Sequence, residues 1–215
     1  MNRTAHSSSE VLPSYDIAVA VVQDWLTDYI SRPNNSIGRT GPVCPFVSPS
    51  RRAGSLEIVV RPVGPDPDLA HVTDLLWAGL DEFHHVEWKG SNPALRSLIV
   101  VLPDLDEAAC QLLDDAHHAV KPIAVRRGMM LGQFHPRCAE PATRNADFPV
   151  SRSPVPLVAI RSMALHDVLF LHQQQGWFAE YRRLFGSHYE RGKKAIEPLF
   201  AELFHKACAE YGVVR

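Results

Sequence analysis

Between positions 14 and 30 apolar residues return at steps of three and four: Tyr15, Ala18, Val19, Val22, Trp25, Leu26, Tyr29 and Ile30. That spacing puts them on one face of a helix, with Ser14 as its N-cap and Asp16 in the positively polarised first turn. The pattern stops before Pro33-Asn34-Asn35. From Leu56 onward a different rhythm begins, in which short apolar runs alternate with longer amphipathic ones. Leu56 to Arg61 and Ser97 to Leu102 read as strands, and Asp68 to Phe83 and Leu105 to Val120 as helices. Two more strands follow, Met129 to Phe134 and Pro156 to Arg161, joined by about twenty residues of polar, proline-containing loop. The tail reads as a helical pair. One member carries Leu169, Phe170, Trp177, Tyr181, Leu184 and Phe185, the other Ile196, Leu199, Phe200, Leu203, Phe204, Ala207 and Tyr211, with Gly186 at the first member's C-cap.

Strands that alternate with helices need crossover connections. The expected fold is therefore α/β: a four-stranded, partly parallel mixed sheet with crossover helices, an N-terminal helix and a C-terminal helical pair. Residues 1–13 are small and polar and read as a disordered leader, and 14–215 as a single domain.

Composition narrows the partners. The chain is 46% hydrophobic and 21% charged with a net charge of −2, which gives no general attraction to nucleic acid or anionic membrane. A small-molecule substrate is expected, and the oligomeric state is left open. No apolar run approaches the roughly 20 residues of a spanning helix, and Met1 to Glu10 lacks the apolar core of a secretory signal, so a cytoplasmic location is expected. Cys44, Cys110, Cys138 and Cys208 form no CxxC pair and no compact zinc spacing, which favours reduced thiols over a disulfide framework.

Two segments put a reactive side chain between conformationally fixed neighbours: Gly41-Pro42-Val43-Cys44-Pro45-Phe46 and Gly132-Gln133-Phe134-His135-Pro136. Proline fixes φ and withholds an N–H, so Cys44 and His135 are held at the edges of regular elements. Cys44 suits a nucleophile or a soft metal ligand; the alternative is a small hydrophobic packing residue. His135 suits a metal ligand or a general base; the alternative is a histidine bonding loop backbone. Arg144, Arg152 and Arg161, with Arg137, read as an anion-facing wall near His135, against the alternative of a solvated basic loop. The doublets His84-His85 and His117-His118 lie about 100° apart around a helix axis and read as solvated or interfacial, as do Asp114-Asp115. Cys110 and Cys208 read as packing residues.

The Gly41 to Phe46 motif, the Gly128 to Pro136 strand, the Arg144-Asn145-Ala146-Asp147-Phe148 loop and the Ser153 to Arg161 segment together resemble an uncharacterised bacterial family, often encoded beside biosynthetic genes. Val43-Cys44-Pro45-Phe46 and Arg152-Ser153 also carry a distant likeness to the YqcI/YcgG family, some members of which are haem enzymes that oxidise amino-acid nitrogen. These resemblances imply a small haem-binding oxidative enzyme of specialised metabolism acting on a carboxylate- or amine-bearing substrate. In that reading His135 is the axial ligand, and Arg144, Arg152 or Arg161 pair propionates or a substrate carboxylate. A thiol enzyme without cofactor, with Cys44 as nucleophile and His135 as base, is the alternative, and a non-catalytic ligand- or partner-binding protein is a third. Both enzyme readings expect Cys44 and His135 to share one cleft.

Overall fold

The computed structural model describes residues 12–190 and 196–212, with side chains from Tyr15 onward. Of the expected leader only Leu12 and Pro13 are described, and they already belong to the first helix, α1 (Leu12–Trp25). Ser14 thus lies inside that helix and not at its cap. Its last turn widens into a π-turn, Leu26–Ile30.

The chain between Arg32 and Gly54 is more ordered than its Pro, Gly, Ser and Arg content predicts. It folds back on itself through Asn34 N–H to Gly41 O (3.1 Å), Val43 N–H to Arg32 O (3.2 Å) and Cys44 N–H to Ile30 O (2.9 Å). Gly41, with φ of +96°, makes the reversal that a side-chain-bearing residue would resist. A short helix, α2 (Val47–Arg52), follows and leads into β1 (Leu56–Val60).

Asp68 caps α3 (Leu69–His85), its carboxylate accepting from the His71 amide. β2 (Ser97–Val101) is followed by α4 (Cys110–Arg126), which starts later and ends later than its apolar spacing predicts. The late start follows from two aspartate contacts, one of them long-range. The Asp104 carboxylate accepts from the amides of Val63 and Gly64, tying the loop after β2 to the loop after β1, while Asp106 caps a turn at Ala109. β3 (Met129–Phe134) comes next. The polar loop after it contains a hairpin, β4 (Pro141–Ala142) with β5 (Asn145–Pro149), and β6 (Leu157–Ser162) completes the strands.

The sheet runs β1-β2-β6-β3. β1 and β2 are parallel, while β6 is antiparallel to both β2 and β3, so β1, β2 and β3 all point the same way. This is the mixed, partly parallel α/β sheet that the strand and helix alternation implies. One face, through Leu98, Val100, Leu131, Val158 and Ile160, packs on α3 and α4. The other, through Ile99, Val101 and Leu157, packs on α1 and the Cys44 loop.

The C-terminal helices are more divided than expected: α5 (Val168–Leu171), α6 (Gln175–Phe185) and α7 (Pro198–Glu210). Gly186 is right-handed, with φ of −53°, and continues into a 3-10 turn over Gly186–Tyr189 in place of a left-handed cap. These helices close a third apolar cluster around Phe178, Tyr181 and Phe204 beyond β3. No described helix is long and apolar enough to cross a membrane.

Candidate functional site

Cys44 and His135 do not meet, which corrects the expectation of one shared cleft. Strand alternation puts Gln133 and His135 toward α4, whereas Cys44 packs with the α1-side cluster. They also lie at opposite ends of the sheet. Phe134, just before His135, pairs with Leu157 at the start of β6, while Arg161, the neighbour of Cys44, pairs with Met130, four residues or about 13 Å along the strand. Two separate clusters result.

The first is built around Arg161, which shares the α1 face with Leu157 and Ala159. Its guanidinium forms a two-pronged pair with Asp167 (2.8 and 2.6 Å) and donates to its neighbour Ser162 O (3.1 Å). Asp167 is fully buried and also accepts the Ala164 amide at 2.7 Å. Phe46, two residues after Cys44, lies beneath both cationic and imidazole groups: Arg161 sits 5.4 Å from its ring centre, and the His166 ring stacks on it at 4.5 Å. Burial opposes the charge on Arg161, but the carboxylate of Asp167 outweighs it and raises its pKa. Asp167 is likewise penalised by burial, yet Arg161 holds its carboxyl below the usual range. His166 moves the other way, because burial, with help from Arg161 and Arg39, outweighs Asp167 and favours the neutral ring. Arg39 braces the loop by donating to Thr40 O and Val43 O on either side of Pro42. Cys44 itself is half-buried, and none of the four cysteines is in a disulfide.

The second cluster sits past the C-terminal end of β3, at the sheet edge where ligands of parallel α/β sheets gather. His135 is 2% exposed, and its Nε2 lies 3.1 Å from Asp114 Oδ1, which also accepts from Gln133 Nε2 at 3.1 Å. The His135 carbonyl takes the amides of Cys138 (3.1 Å) and Ser153 (3.3 Å), which closes the turn that Pro136 begins. Cys138 is 1% exposed, and burial pushes its thiol up to about 11. One donor atom from each of Asp114, His135 and Cys138 lies within 4.8 Å of the others.

The arginines form no common wall beside His135. Arg144 pairs with Glu197 at 2.5 Å, Arg161 is committed to Asp167, and Arg137 reaches Glu107 at 3.9 Å on the surface. Arg152 is exposed on the α1 side, its carbonyl accepting from Trp25 Nε1 and its charge acting on Tyr29. The arginines expected to pair haem propionates or a substrate carboxylate are thus engaged elsewhere or dispersed, and His135 faces α4.

Two groups read as solvated are in fact engaged. Asp114 holds the end of β3, and His117 Nε2 lies 3.0 Å from Leu131 O, with burial lowering its pKa to about 4. The signal was present in the sequence: Cys110, Asp114, His117 and Lys121 recur at helical steps of four, three and four and so form one stripe. Lys121, over the Trp177 ring at 5.7 Å, has its pKa lowered by burial as well.

No curated protein and no solved structure matches the chain. A family model does match, over residues 19–196, and the chain belongs to the family defined by the domain of unknown function DUF6875.

Proposed function

We propose that the protein is a thiol enzyme acting on a small electrophilic substrate in a reducing, cytoplasmic compartment, with Cys44 as nucleophile and His166, in place of His135, as its base. The observation that carries this reading is the setting of the Cys44 loop: its Phe46 ring lies against both the Arg161 guanidinium (5.4 Å) and the His166 ring (4.5 Å), and Asp167 fixes that guanidinium through two hydrogen bonds. A nucleophilic cysteine needs a nearby cation or imidazole to favour its thiolate, and here both flank the same loop. Asp167 already occupies the fork of Arg161, so the guanidinium is held as a fixed positive charge beside the Cys44 loop and does not bind substrate.

Acyl transfer is the reaction class that suits these groups. The thiol proton passes to the neutral His166 ring while the sulfur electron pair bonds to the acyl carbon. The group expelled from that carbon leaves with its bonding pair and takes the proton back from His166. Water or another acceptor then cleaves the thioester and regenerates the thiol.

The test is the rate of iodoacetamide alkylation at each cysteine, read by mass spectrometry from pH 6 to 9. Cys44 is expected to react at least tenfold faster than half-buried Cys208 at pH 7, and Arg161→Met to remove most of that advantage. His166→Asn, which leaves the ion pair intact, provides the second variant and shifts the pH profile of Cys44. Equal rates at Cys44 and Cys208 in folded protein would overturn the reading.

A further inference from the structure

The cluster past β3 has a use of its own, independent of the Cys44 reading. The geometry points to a second site: a zinc-type divalent cation held by Asp114, His135 and Cys138, with one coordination position open to solvent past Asp114. Carboxylate, imidazole and thiolate together make a donor set that suits zinc, and three protein ligands with a fourth position free is the pattern of an open zinc site.

Two observations support this. The first is spacing. Two nitrogen or oxygen ligands of a tetrahedral zinc, at bonds of about 2.0–2.1 Å, lie roughly 3.3 Å apart. His135 Nε2 and Asp114 Oδ1 stand 3.1 Å apart, and one donor atom from each of the three residues lies within 4.8 Å of the others, close to the spacing that ligands of one cation adopt.

The second is the hydrogen-bond state of His135. The ring is 2% exposed, and its Nδ1 is buried without a partner. If a neutral ring carries its proton on Nε2, that proton goes to Asp114 and a bare lone pair is left on Nδ1 in the interior. If the proton is on Nδ1, the Nε2 lone pair faces the Asp114 carboxylate with nothing between them, and a buried donor goes unused as well. Only the second tautomer presents a lone pair toward Asp114, and a cation taken up there is held by Nε2 and the carboxylate together while Nδ1 keeps its proton. The position is also well held, because Gln133 fixes Asp114 and two backbone amides fix the His135 carbonyl. The Asp114 side chain, about one third exposed, provides the way in from solvent.

Metal binding replaces the Cys138 thiol proton, which is released to solvent, with no change of oxidation state. The test uses full-length protein stripped with a chelator and titrated with cobalt(II), which reports a thiolate ligand by a near-ultraviolet charge-transfer band. One equivalent is expected to give that band, and zinc to abolish it. Cys138→Ser should lose the band, Cys44→Ser should keep it, and Asp114→Asn should weaken cobalt binding at least tenfold. Should Cys138→Ser fail to fold, zinc protection of Cys138 from alkylation in partly denatured wild-type chain reads the same ligand. Absence of a thiolate band at stoichiometric cobalt, a band that survives Cys138→Ser, or zinc that fails to protect Cys138 overturns the site. Because Cys44 takes no part, failure here leaves the thiol-enzyme reading untouched, and the reverse holds.

Discussion

Arg161 and Asp167 face each other through two hydrogen bonds of 2.8 and 2.6 Å, the carboxylate fully buried, and so lock the end of β6 to the turn before α5. Breaking such a pair from one side strands a charge in the interior. Arg161→Met is expected to cost about 3–5 kcal/mol in urea unfolding, and Arg161→Met with Asp167→Leu to recover part of that loss. The sign with pH follows. Asp167 has its folded pKa below the unfolded value, so the pair's contribution is full above the unfolded value and is lost as pH falls through the folded one. In Arg161→Met, where burial without its partner raises the Asp167 pKa, that acid-dependent loss should shrink or disappear.

His117 provides a second pH signature. Its folded pKa of about 4 lies below the ordinary histidine value of 6.5, so between those values the unfolded chain takes up a proton that the folded one refuses. Stability should fall by about 3 kcal/mol as pH drops from 6.5 to 4. His117→Gln should flatten most of that slope in denaturation series at several pH values, and His166, shifted in the same direction, should account for part of the remainder.

Gly38 tests how the Cys44 loop is docked. Its φ is +77°, and a Cβ there would stand 2.4 Å from the Arg144 carbonyl oxygen in the β4–β5 turn. Gly64 has the same φ with open space around it. Gly64→Ala should therefore show only the backbone cost of about 1 kcal/mol, whereas Gly38→Ala should add the clash and lower the melting temperature further. Equal effects would mean that the loop and hairpin separate readily.

Haem titration checks the reading that the sequence favoured. With His135 enclosed against α4 and its arginines dispersed, any Soret absorbance acquired by the protein is expected to be unchanged in His135→Ala. A stoichiometric band lost in that variant would restore His135 as an axial ligand and require the ring to swing out of the sheet edge.

The elements legible in the sequence are those fixed by local periodicity. The core strands and α3 sit within a residue or two of where alternation and helical spacing put them, because burying an apolar face leaves little choice of period. Cys44 and His135 were legible as fixed edge positions for a similar reason, since prolyl φ restriction acts within one or two residues. The late start of α4 was not, because it depends on Asp104 bonding amides forty residues earlier in the chain. Nor was the short helix α2, or the hairpin hidden in a loop rich in proline.

What the sequence by itself determined is the alternation of strands and helices, the mixed α/β class and the presence of two conformationally pinned reactive residues. Only the tertiary structure decided that these two belong to different sites. That separation follows from register and alternation: a residue's face changes with every step along a strand, and its end of the sheet depends on which partner it pairs with. His135, with its chain neighbour Cys138, thereby meets Asp114, and the Cys44–Phe46 loop meets Arg161, His166 and Asp167, partners that lie far along the chain and come together only when the sheet closes.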